Sequence, residues 1–172
     1  HAHASEAIEQ VGALTERIGI ITRELRGFAR RSSGDVEPVA VKEALAGTAL
    51  LLRDRMRMLG ARLEIEGAMV AVRAERVGLE QVLVNLIQNA LDAGALTITV
   101  TVAPHKDRVA ITVADDGAGL TDEVRASLFM PFKTSKRNGL GLGLVICRDI
   151  VAGFGGTLVA AAPIAGAAFV ID

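Results

Sequence analysis

A predicted helix near the middle of the chain carries a stripe of side chains that can bind a metal ion and phosphate. At about 100° per residue, the segment from Glu75 to Ala93 has one apolar face and one face of hydrogen-bonding groups. The polar face comprises Gln81, Asn85, Gln88, Asn89 and Asp92. Surface helices usually carry more Lys and Glu and fewer Asn, because Asn is a weaker helix former. A solvated face is the alternative interpretation of this helix taken alone.

Two further segments combine glycine with groups that can contact a ligand. The pentapeptide Asp115–Gly119 directly follows an alternating strand, so its first carboxylate is expected at the strand end, where it can accept a hydrogen bond from an exocyclic amine. Gly139, Gly141 and Gly143 open an apolar helix, whose free amides and positive dipole end favour phosphate. A plain Asp-Gly turn and an ordinary helix start are the alternatives when each segment is considered in isolation.

The segment from Leu120 to Asn138 separates these two glycine-containing segments and is too long for a simple turn. Lys133, Lys136 and Arg137 lie near its end. Such a segment can close as a lid over a triphosphate. Alternatively, its three cations are only solvated.

The elements that position these residues follow from the spacing of the apolar side chains. The predicted helices are Val41–Leu59, Glu75–Ala93 and one that begins at the third glycine of the segment 139–143. The predicted strands are Arg62–Glu66, Met69–Arg73, Thr97–Val102, Arg108–Val113, Thr157–Ala161 and Ala167–Ile171. We expect these strands to form three successive pairs, the first turning at Gly67 and the second at 104–107. The predicted fold class is α+β, a two-layer sandwich of a mixed sheet with helices on one face.

Residues 4–31 carry a seven-residue rhythm of apolar side chains. Its two positions are filled by Ala4, Val11, Ile18 and Leu25, and by Ala7, Leu14, Ile21 and Phe28. A period of 3.5 residues predicts one long helix that packs against a partner helix, and an ordinary amphipathic helix is the alternative. Gly34 and Pro38 end this helix, since proline disfavours helical geometry in the residue before it. We therefore predict two parts, residues 1–37 and residues 38–172.

Composition excludes several classes of protein. The net charge is −1 and Trp and Tyr are absent, which argues against nucleic-acid binding. Cys147 is the only cysteine and lies in an apolar helical run, so we expect a buried structural thiol and a cytosolic chain. The uncharged segment 150–171 is interrupted by glycine and proline, which argues against a membrane span. Residues 1–5 look like the remnant of an expression tag.

Four of these segments, in this order and spacing, together resemble the nucleotide-binding domain of the gyrase, heat-shock-protein 90, histidine kinase and mismatch-repair ATPase superfamily. Residues 85–89 resemble its N box, 115–119 its first glycine box, 129–132 (Phe-Met-Pro-Phe) its F box, and 139–143 its second glycine box. The resemblance covers residues 38–172 and, within the superfamily, is to the sensor histidine kinases. It implies a Bergerat-type fold and the cofactors ATP and Mg²⁺.

The resemblance also implies a role for each matching residue. Asn89, together with Asn85, would hold Mg²⁺ against the phosphates. Asp115 would read the adenine amino group, and Gly117 and Gly119 would shape the adenine pocket.

For the phosphates, the resemblance implies that Lys136 of the lid neutralises the terminal group and that amides around Gly141 and Gly143 cradle it. The further implied nucleotide contacts are Asp92, Gly139 and Leu144. Lys133 departs from the pattern, because an aromatic residue is common at this position in the subfamily.

One position distinguishes kinases from hydrolases within the superfamily. The ATP-hydrolysing members have a glutamate four residues before the metal-binding asparagine, where this chain has Asn85. An amide is no general base, so water is not activated for attack on the phosphate. The resemblance therefore favours transfer of the phosphoryl group to a protein acceptor.

The segment Leu14–Arg30 resembles the second helix of a kinase dimerisation hairpin, most closely that of C4-dicarboxylate sensor kinases. The family's acceptor is a histidine followed by an acidic residue on the first hairpin helix, and His1, His3 and His105 lack this context. The resemblance thus implies a truncated kinase that needs a supplied acceptor histidine and passes the phosphoryl group to a response regulator. It also implies a homodimeric, membrane-anchored parent protein, of which this chain is a cytoplasmic part.

Two alternatives remain open for the function. The first is a nucleotide-binding pseudokinase that acts as an interaction module without phosphotransfer. The second is a hydrolytic dimeric clamp, against which Asn85 argues.

Overall fold

The computed structural model describes residues 34–134, 140–161 and 165–172, together with Gly12 and Gly19. Apart from these two glycines, the predicted heptad helix lies outside the described residues, as do Lys136 and Gly139. The helices are α1 Val41–Leu59, α2 Arg76–Asp92, α3 Asp122–Ser127 and α4 Gly143–Gly153. The strands are β1 Glu37–Ala40, β2 Arg62–Gly67, β3 Ala71–Ala74, β4 Thr97–His105, β5 Arg108–Asp115, β6 Leu158–Ala161 and β7 Ala168–Ile171.

Five strands form one mixed sheet in the order β2-β4-β5-β7-β6. Only β2 is parallel to its neighbour, and the remaining pairs are antiparallel. Along β4 the side chains of Ile98, Val100 and Val102 are buried, while the threonines between them are only half-buried. This alternation follows from the two-residue period of a strand and puts one face of the sheet against the helices. The predicted α+β sandwich is therefore confirmed.

The core lies between the sheet and α1, α2 and α4. Helix α2 buries a continuous apolar stripe, which comprises Leu79, Val82, Leu83, Leu86, Ile87, Ala90 and Leu91. It packs against α1 on one side and α4 on the other, and its position is set by the chain path, because α2 lies in the crossover between the parallel strands β2 and β4. The polar stripe of α2 is thereby left on the side away from the sheet.

The predicted hairpin between the first two strands is wrong. Strand β2 instead pairs in parallel with β4, from Arg62 opposite Thr97 to Gly67 opposite Val102. The chain does not reverse at Gly67, because the amide of Ala68 still donates to the carbonyl of Val102 at 2.9 Å. Strand β3 pairs with β1 in a separate antiparallel two-stranded sheet. Both pairings use the same two-residue period, so the pattern of the two strands could not reveal their partners.

Two ion pairs join α1 to α2, one near each end of the pair. Arg76 pairs with Glu43 near the amino-terminal ends, and Arg55 pairs with Asp92 near the carboxyl-terminal ends. The hydrogen bond from Arg76 to Glu43 raises the pKa of the arginine further above its ordinary value. The two helices therefore run side by side in the same direction.

Two expectations from composition can be compared with the fold. Within the described ranges, no helix is both long enough and apolar enough to cross a bilayer. Cys147 is fully buried, and this burial raises the pKa of its thiol to about 12. The prediction of a buried thiol is confirmed.

Candidate nucleotide-binding site

The two asparagines of the polar stripe are joined to each other. The side-chain amide of Asn89 donates to Oδ1 of Asn85 at 3.0 Å, and both residues are half-buried. This bond is possible because residues four apart lie one above the other on a helix. It fixes the orientation of both carboxamides, with the nitrogen of Asn89 turned towards Asn85.

Asp115 lies at the carboxyl end of β5 on the helix-facing side of the sheet. It is in register with the buried Ile98, and it shares a face with Val113 and Ile111 because alternate residues of a strand point the same way. Its Oδ1 accepts hydrogen bonds from the amides of Gly117 at 2.9 Å and Ala167 at 3.2 Å. Asp115 is thus a half-buried carboxylate held at the rim of the core layer.

The loop that follows Asp115 contacts the end of α2. The amide of Ala118 donates to the carbonyl of Ala93 at 3.1 Å. A Cβ on Gly117 would lie 2.9 Å from the same carbonyl oxygen, so only glycine fits this approach. The strand-end carboxylate and the asparagine pair are therefore carried by elements that touch.

The start of α4 lies against the other end of the stripe. A Cβ on Gly143 would be 2.7 Å from Nδ2 of Asn85, so the backbone of α4 and this carboxamide are in direct contact. The N-cap residue of α4, Leu142, makes no capping hydrogen bond through its side chain, so the cap does not satisfy the amides of the first turn. Leu144, next along the helix, is half-buried. The first and second glycine segments thus flank the same polar face of α2.

Of the remaining predicted site residues, some have contacts that the structure describes and others lie outside the described residues. Gly119 and Gly141 both have positive φ, +76° and +70°, and the backbone of Gly141 lies against that of Lys133. Asp92 is paired with Arg55, so its carboxylate is engaged with α1. Lys136 and Gly139 lie outside the described residues, and their predicted phosphate contacts stay predictions.

The F box is anchored to α4. Phe129 is half-buried, and the guanidinium of Arg148 stacks over its ring at 5.7 Å from the centroid. Phe132, by contrast, is 72% exposed and has a φ of +62°. Phe129 therefore packs against α4, whereas Phe132 lies at the surface.

Asp116 was given no role from the sequence, yet it fixes the position of Asp115. Its Oδ1 accepts from the amides of Leu96 at 2.8 Å and Thr97 at 2.9 Å, and its own amide donates to the carbonyl of Thr97 at 3.2 Å. The bond from Thr97, aided by that from Leu96 and opposed by desolvation, lowers the pKa of Asp116 below its ordinary value. The start of β4 and the end of β5 are thus pinned together beside Asp115.

The donor set suits Mg²⁺ shared with a phosphate. Mg²⁺ prefers oxygen ligands and usually takes only one or two from protein, the rest coming from water and phosphate. Asn85 and Asn89 supply carboxamide oxygens. Over residues 34–134, 140–161 and 165–172 there is no group of three His, Cys, Asp or Glu side chains that could hold a metal ion alone. The residues present therefore fit an ion that arrives with a nucleotide.

Comparison with known proteins shows the family to which the chain is related. Residues 74–172 match the family described as histidine kinase-, DNA gyrase B- and HSP90-like ATPase. The C4-dicarboxylate transport sensor protein DctB of Rhizobium meliloti (strain 1021) is 42% identical over 98% of this chain and 28% of its own length. DctS of Rhodobacter capsulatus, with the same description, is 38% identical over 85% of this chain and 23% of its length. The chain thus spans about a quarter of these curated relatives.

Solved structures agree as well. The catalytic domain of histidine kinase ThkA superposes with a TM-score of 0.72 at 28% identity, covering 80% of this chain and 93% of that one. A complex of ThkA with the response regulator protein TrrA matches with a TM-score of 0.78 over 96% of this chain and 49% of that one, and at 23% identity this shows the fold alone. The chain belongs to the histidine kinase-, DNA gyrase B- and HSP90-like ATPase family, and it contains the ATP-binding catalytic domain of a sensor histidine kinase.

Proposed function

We propose that this chain binds Mg²⁺-ATP and transfers the γ-phosphoryl group to a histidine on a dimerisation hairpin, for onward transfer to an aspartate of a response regulator. The observation that carries the proposal is that the start of α4 at Gly143 contacts the Asn85–Asn89 pair of α2, while the loop that follows Asp115 contacts the carboxyl end of the same helix. Membership of the family supports the same reading of these residues.

At the adenine end, Asp115 accepts a hydrogen bond from the exocyclic amine. Its Oδ1 already holds two backbone amides, so Oδ2 is the oxygen that meets the ligand. Gly117 and Gly119 shape the pocket, because the absence of a side chain lets the loop pass close to the carbonyls of Ala93 and Gly166 and so stay beside Asp115.

At the phosphate end, Asn89 and Asn85 would hold Mg²⁺, which when bound neutralises charge on the phosphates. The mutual hydrogen bond of the two carboxamides pre-orients them before the nucleotide arrives. The uncapped amides at the start of α4, beside Gly143, donate to phosphate oxygens. Lys136 would add a positive charge from the lid.

Asn85 also separates this function from ATP hydrolysis. Its carboxamide accepts the hydrogen bond from Asn89 and cannot take a proton from water. The chain's three histidines do not have the sequence context of an acceptor, so transfer requires an acceptor histidine on a segment outside the given residues.

The partners follow from the relatives. DctB and DctS are described as sensors for C4-dicarboxylate transport, and ThkA has been crystallised with a response regulator. We infer that the parent of this chain is a homodimeric, membrane-anchored sensor of the same kind, and that a response regulator takes the phosphoryl group.

A binding experiment tests the site. Asn89→Asp places a carboxylate oxygen against Oδ1 of Asn85 and adds negative charge beside the triphosphate, so we expect Mg²⁺-ATP affinity to fall by about tenfold or more in calorimetry. Gln81→Glu makes the same amide-to-acid change two turns earlier on the helix and should change affinity by less than about twofold. Full affinity in Asn89→Asp would mean that the metal site is wrongly assigned.

A transfer experiment tests the reaction. The chain is mixed with an isolated acceptor hairpin of a sensor kinase and γ-labelled ATP, and we expect an acid-labile label on the hairpin histidine. An acid-stable product, or labelling of this chain alone, contradicts the proposal. Tight ATP binding without transfer to any acceptor selects the pseudokinase, and steady ATP turnover without an acceptor selects the hydrolytic clamp.

A further inference from the structure

Gly166 and Ala167, which directly precede β7, lie against Asp115, although no sequence motif pointed to them. The amide of Ala167 donates to Oδ1 of Asp115 at 3.2 Å, and the amide of Asp115 donates to the carbonyl of Ala167 at 2.9 Å. Asp115 and Ala167 are thus joined through both the side chain and the main chain, 52 residues apart in sequence.

Gly166, the residue before, makes this approach possible. A Cβ on Gly166 would overlap the carbonyl oxygen of Asp115 and lie 2.7 Å from its Oδ1. The φ of Gly166 is +65°, a conformation that side-chain-bearing residues rarely adopt. The carbonyl of Gly166 also faces Gly119, where a Cβ would lie 2.8 Å from it. Gly166 therefore contacts both ends of the segment 115–119.

These contacts determine which way the carboxylate of Asp115 points. Both donors to its side chain, the amides of Gly117 and Ala167, bind the same oxygen, Oδ1. The amide of Gly117 comes from the aspartate's own loop, whereas that of Ala167 comes from a different strand connection. Only the second ties the carboxylate rotamer to the rest of the sheet, and neither of these two bonds uses Oδ2.

We propose that Gly166 and Ala167 are positioning residues of the nucleotide site, which make Asp115 selective for a purine that carries an exocyclic amine. This inference rests on the proposed role of Asp115 as the reader of adenine. Neither residue touches the base, and both act through the orientation of the carboxylate.

The test compares two nucleotides in calorimetry, ATP and purine riboside triphosphate, which lacks the exocyclic amine. The wild-type chain should prefer ATP by roughly tenfold, the effect of one hydrogen bond to a charged group. Gly166→Ala should reduce this preference to less than about twofold, because the displaced carboxylate no longer meets the amine. Affinity for purine riboside triphosphate should change little, since that ligand makes no bond to Asp115.

Gly155→Ala is the matched control. Gly155 has a φ of +79°, and a Cβ built on it meets no atom within 4 Å, so the variant carries the same backbone strain without the clash at Asp115. It should keep the full preference for ATP. Equal loss of preference in both variants would show that general strain, not the position of Asp115, is responsible, and would overturn the proposal.

The role of Asp115 and the positioning role of Gly166 and Ala167 are tested by different outcomes. A wild-type chain that binds both nucleotides equally overturns the role of Asp115 itself. A wild-type chain that prefers ATP, with a Gly166→Ala variant that keeps the whole preference, overturns only the positioning role.

If Gly166→Ala does not fold, hydrogen exchange tests the bond between Ala167 and the side chain of Asp115. The amide of Ala167 is bonded to the side chain of Asp115, so Asp115→Ala should speed its exchange severalfold, whereas the amide of Thr157, bonded to the carbonyl of Asp172 at 2.7 Å, should be unaffected. Unchanged exchange at Ala167 would overturn the proposal.

Discussion

Gly143 and Asn85 are in direct contact: a Cβ on the glycine would lie 2.7 Å from Nδ2 and 3.1 Å from Oδ1 of the asparagine. The backbone of α4 therefore touches the end of a flexible side chain, which can move without disturbing the fold. The same side chain accepts the hydrogen bond from Asn89. This contact links the second glycine box to the asparagine pair.

Gly143→Ala should weaken nucleotide binding while the domain stays folded. The added methyl group displaces the carboxamide of Asn85 and breaks its bond with Asn89, so we expect Mg²⁺-ATP affinity to fall by about tenfold in calorimetry. Gly47→Ala on α1, whose Cβ would make an ordinary 3.4 Å contact with Glu80, is the control and should bind normally. Wild-type affinity in Gly143→Ala would argue against any role for Asn85 at the site.

Asp116 should make stability depend on pH in the acidic range. Hydrogen bonds from the amides of Thr97 and Leu96 lower its pKa in the folded state, so its contribution is fully present above the ordinary pKa of about 3.9 and is lost as pH falls through the lower folded value. We expect the melting temperature of Asp116→Asn to lie below that of the wild type at neutral pH.

The gap between the two melting temperatures should close in acid, where the wild-type side chain is also neutral. Melting temperatures between about pH 7 and pH 2 measure it. Asp107→Asn, in the exposed turn between β4 and β5, controls for the loss of one surface charge. A gap of constant size over the whole range contradicts the assignment.

The apolar side of α2 should carry much of the stability. Leu83 lies on the apolar side of α2 and is fully buried. Leu83→Ala therefore removes a large core side chain and should lower the free energy of unfolding by about 2–5 kcal/mol in urea denaturation. Leu51 on α1 is 70% exposed, and Leu51→Ala should change that free energy by less than about 0.5 kcal/mol. Similar losses in the two variants would mean that the apolar stripe of α2 is not the core.

Cys147 should report on unfolding. Its thiol is fully buried and has a pKa raised to about 12, so a thiol reagent can modify it only when the domain opens. We expect labelling in native buffer to be slow, to become fast in denaturant, and to slow further with saturating Mg²⁺-ATP, because a ligand that binds the folded state suppresses opening. Rapid labelling of the native protein would contradict the buried position.

Much of the fold could be predicted from periodicity alone. The 3.6-residue pattern of Leu79, Val82 and Leu86 located α2 and its buried side, and the alternation along β4 located its buried face. The exceptions are β1 and α3, which were not among the predicted elements, and the partner of β2. The pattern of a strand predicts which side chains face the core, but it does not predict the neighbouring strand. The short connection at Gly67 is typical of a hairpin, yet β2 pairs with β4.

The sequence predicted the site residues that act through their side chains, but not those that act through contacts with the main chain. Asn85, Asn89 and Asp115 were identified from residue type and spacing, and the structure brings their elements together. Asp116 and Gly166 escaped notice, because their contacts are hydrogen bonds and close approaches to main-chain atoms of distant strands. Such contacts exist only once the sheet has formed, so no local sequence pattern predicts them.

The backbones of Lys133 and Gly141 lie so close that a Cβ on the glycine would be 2.5 Å from the lysine carbonyl oxygen. Lys133 and Gly141, on either side of the segment 134–140, are therefore adjacent. Since the entropy of closing a loop grows only by about 0.6 kcal/mol for each doubling of its length, insertions and deletions between these two residues cost the rest of the domain little. A change in the length of this segment should therefore leave the stability of the remaining scaffold almost unchanged.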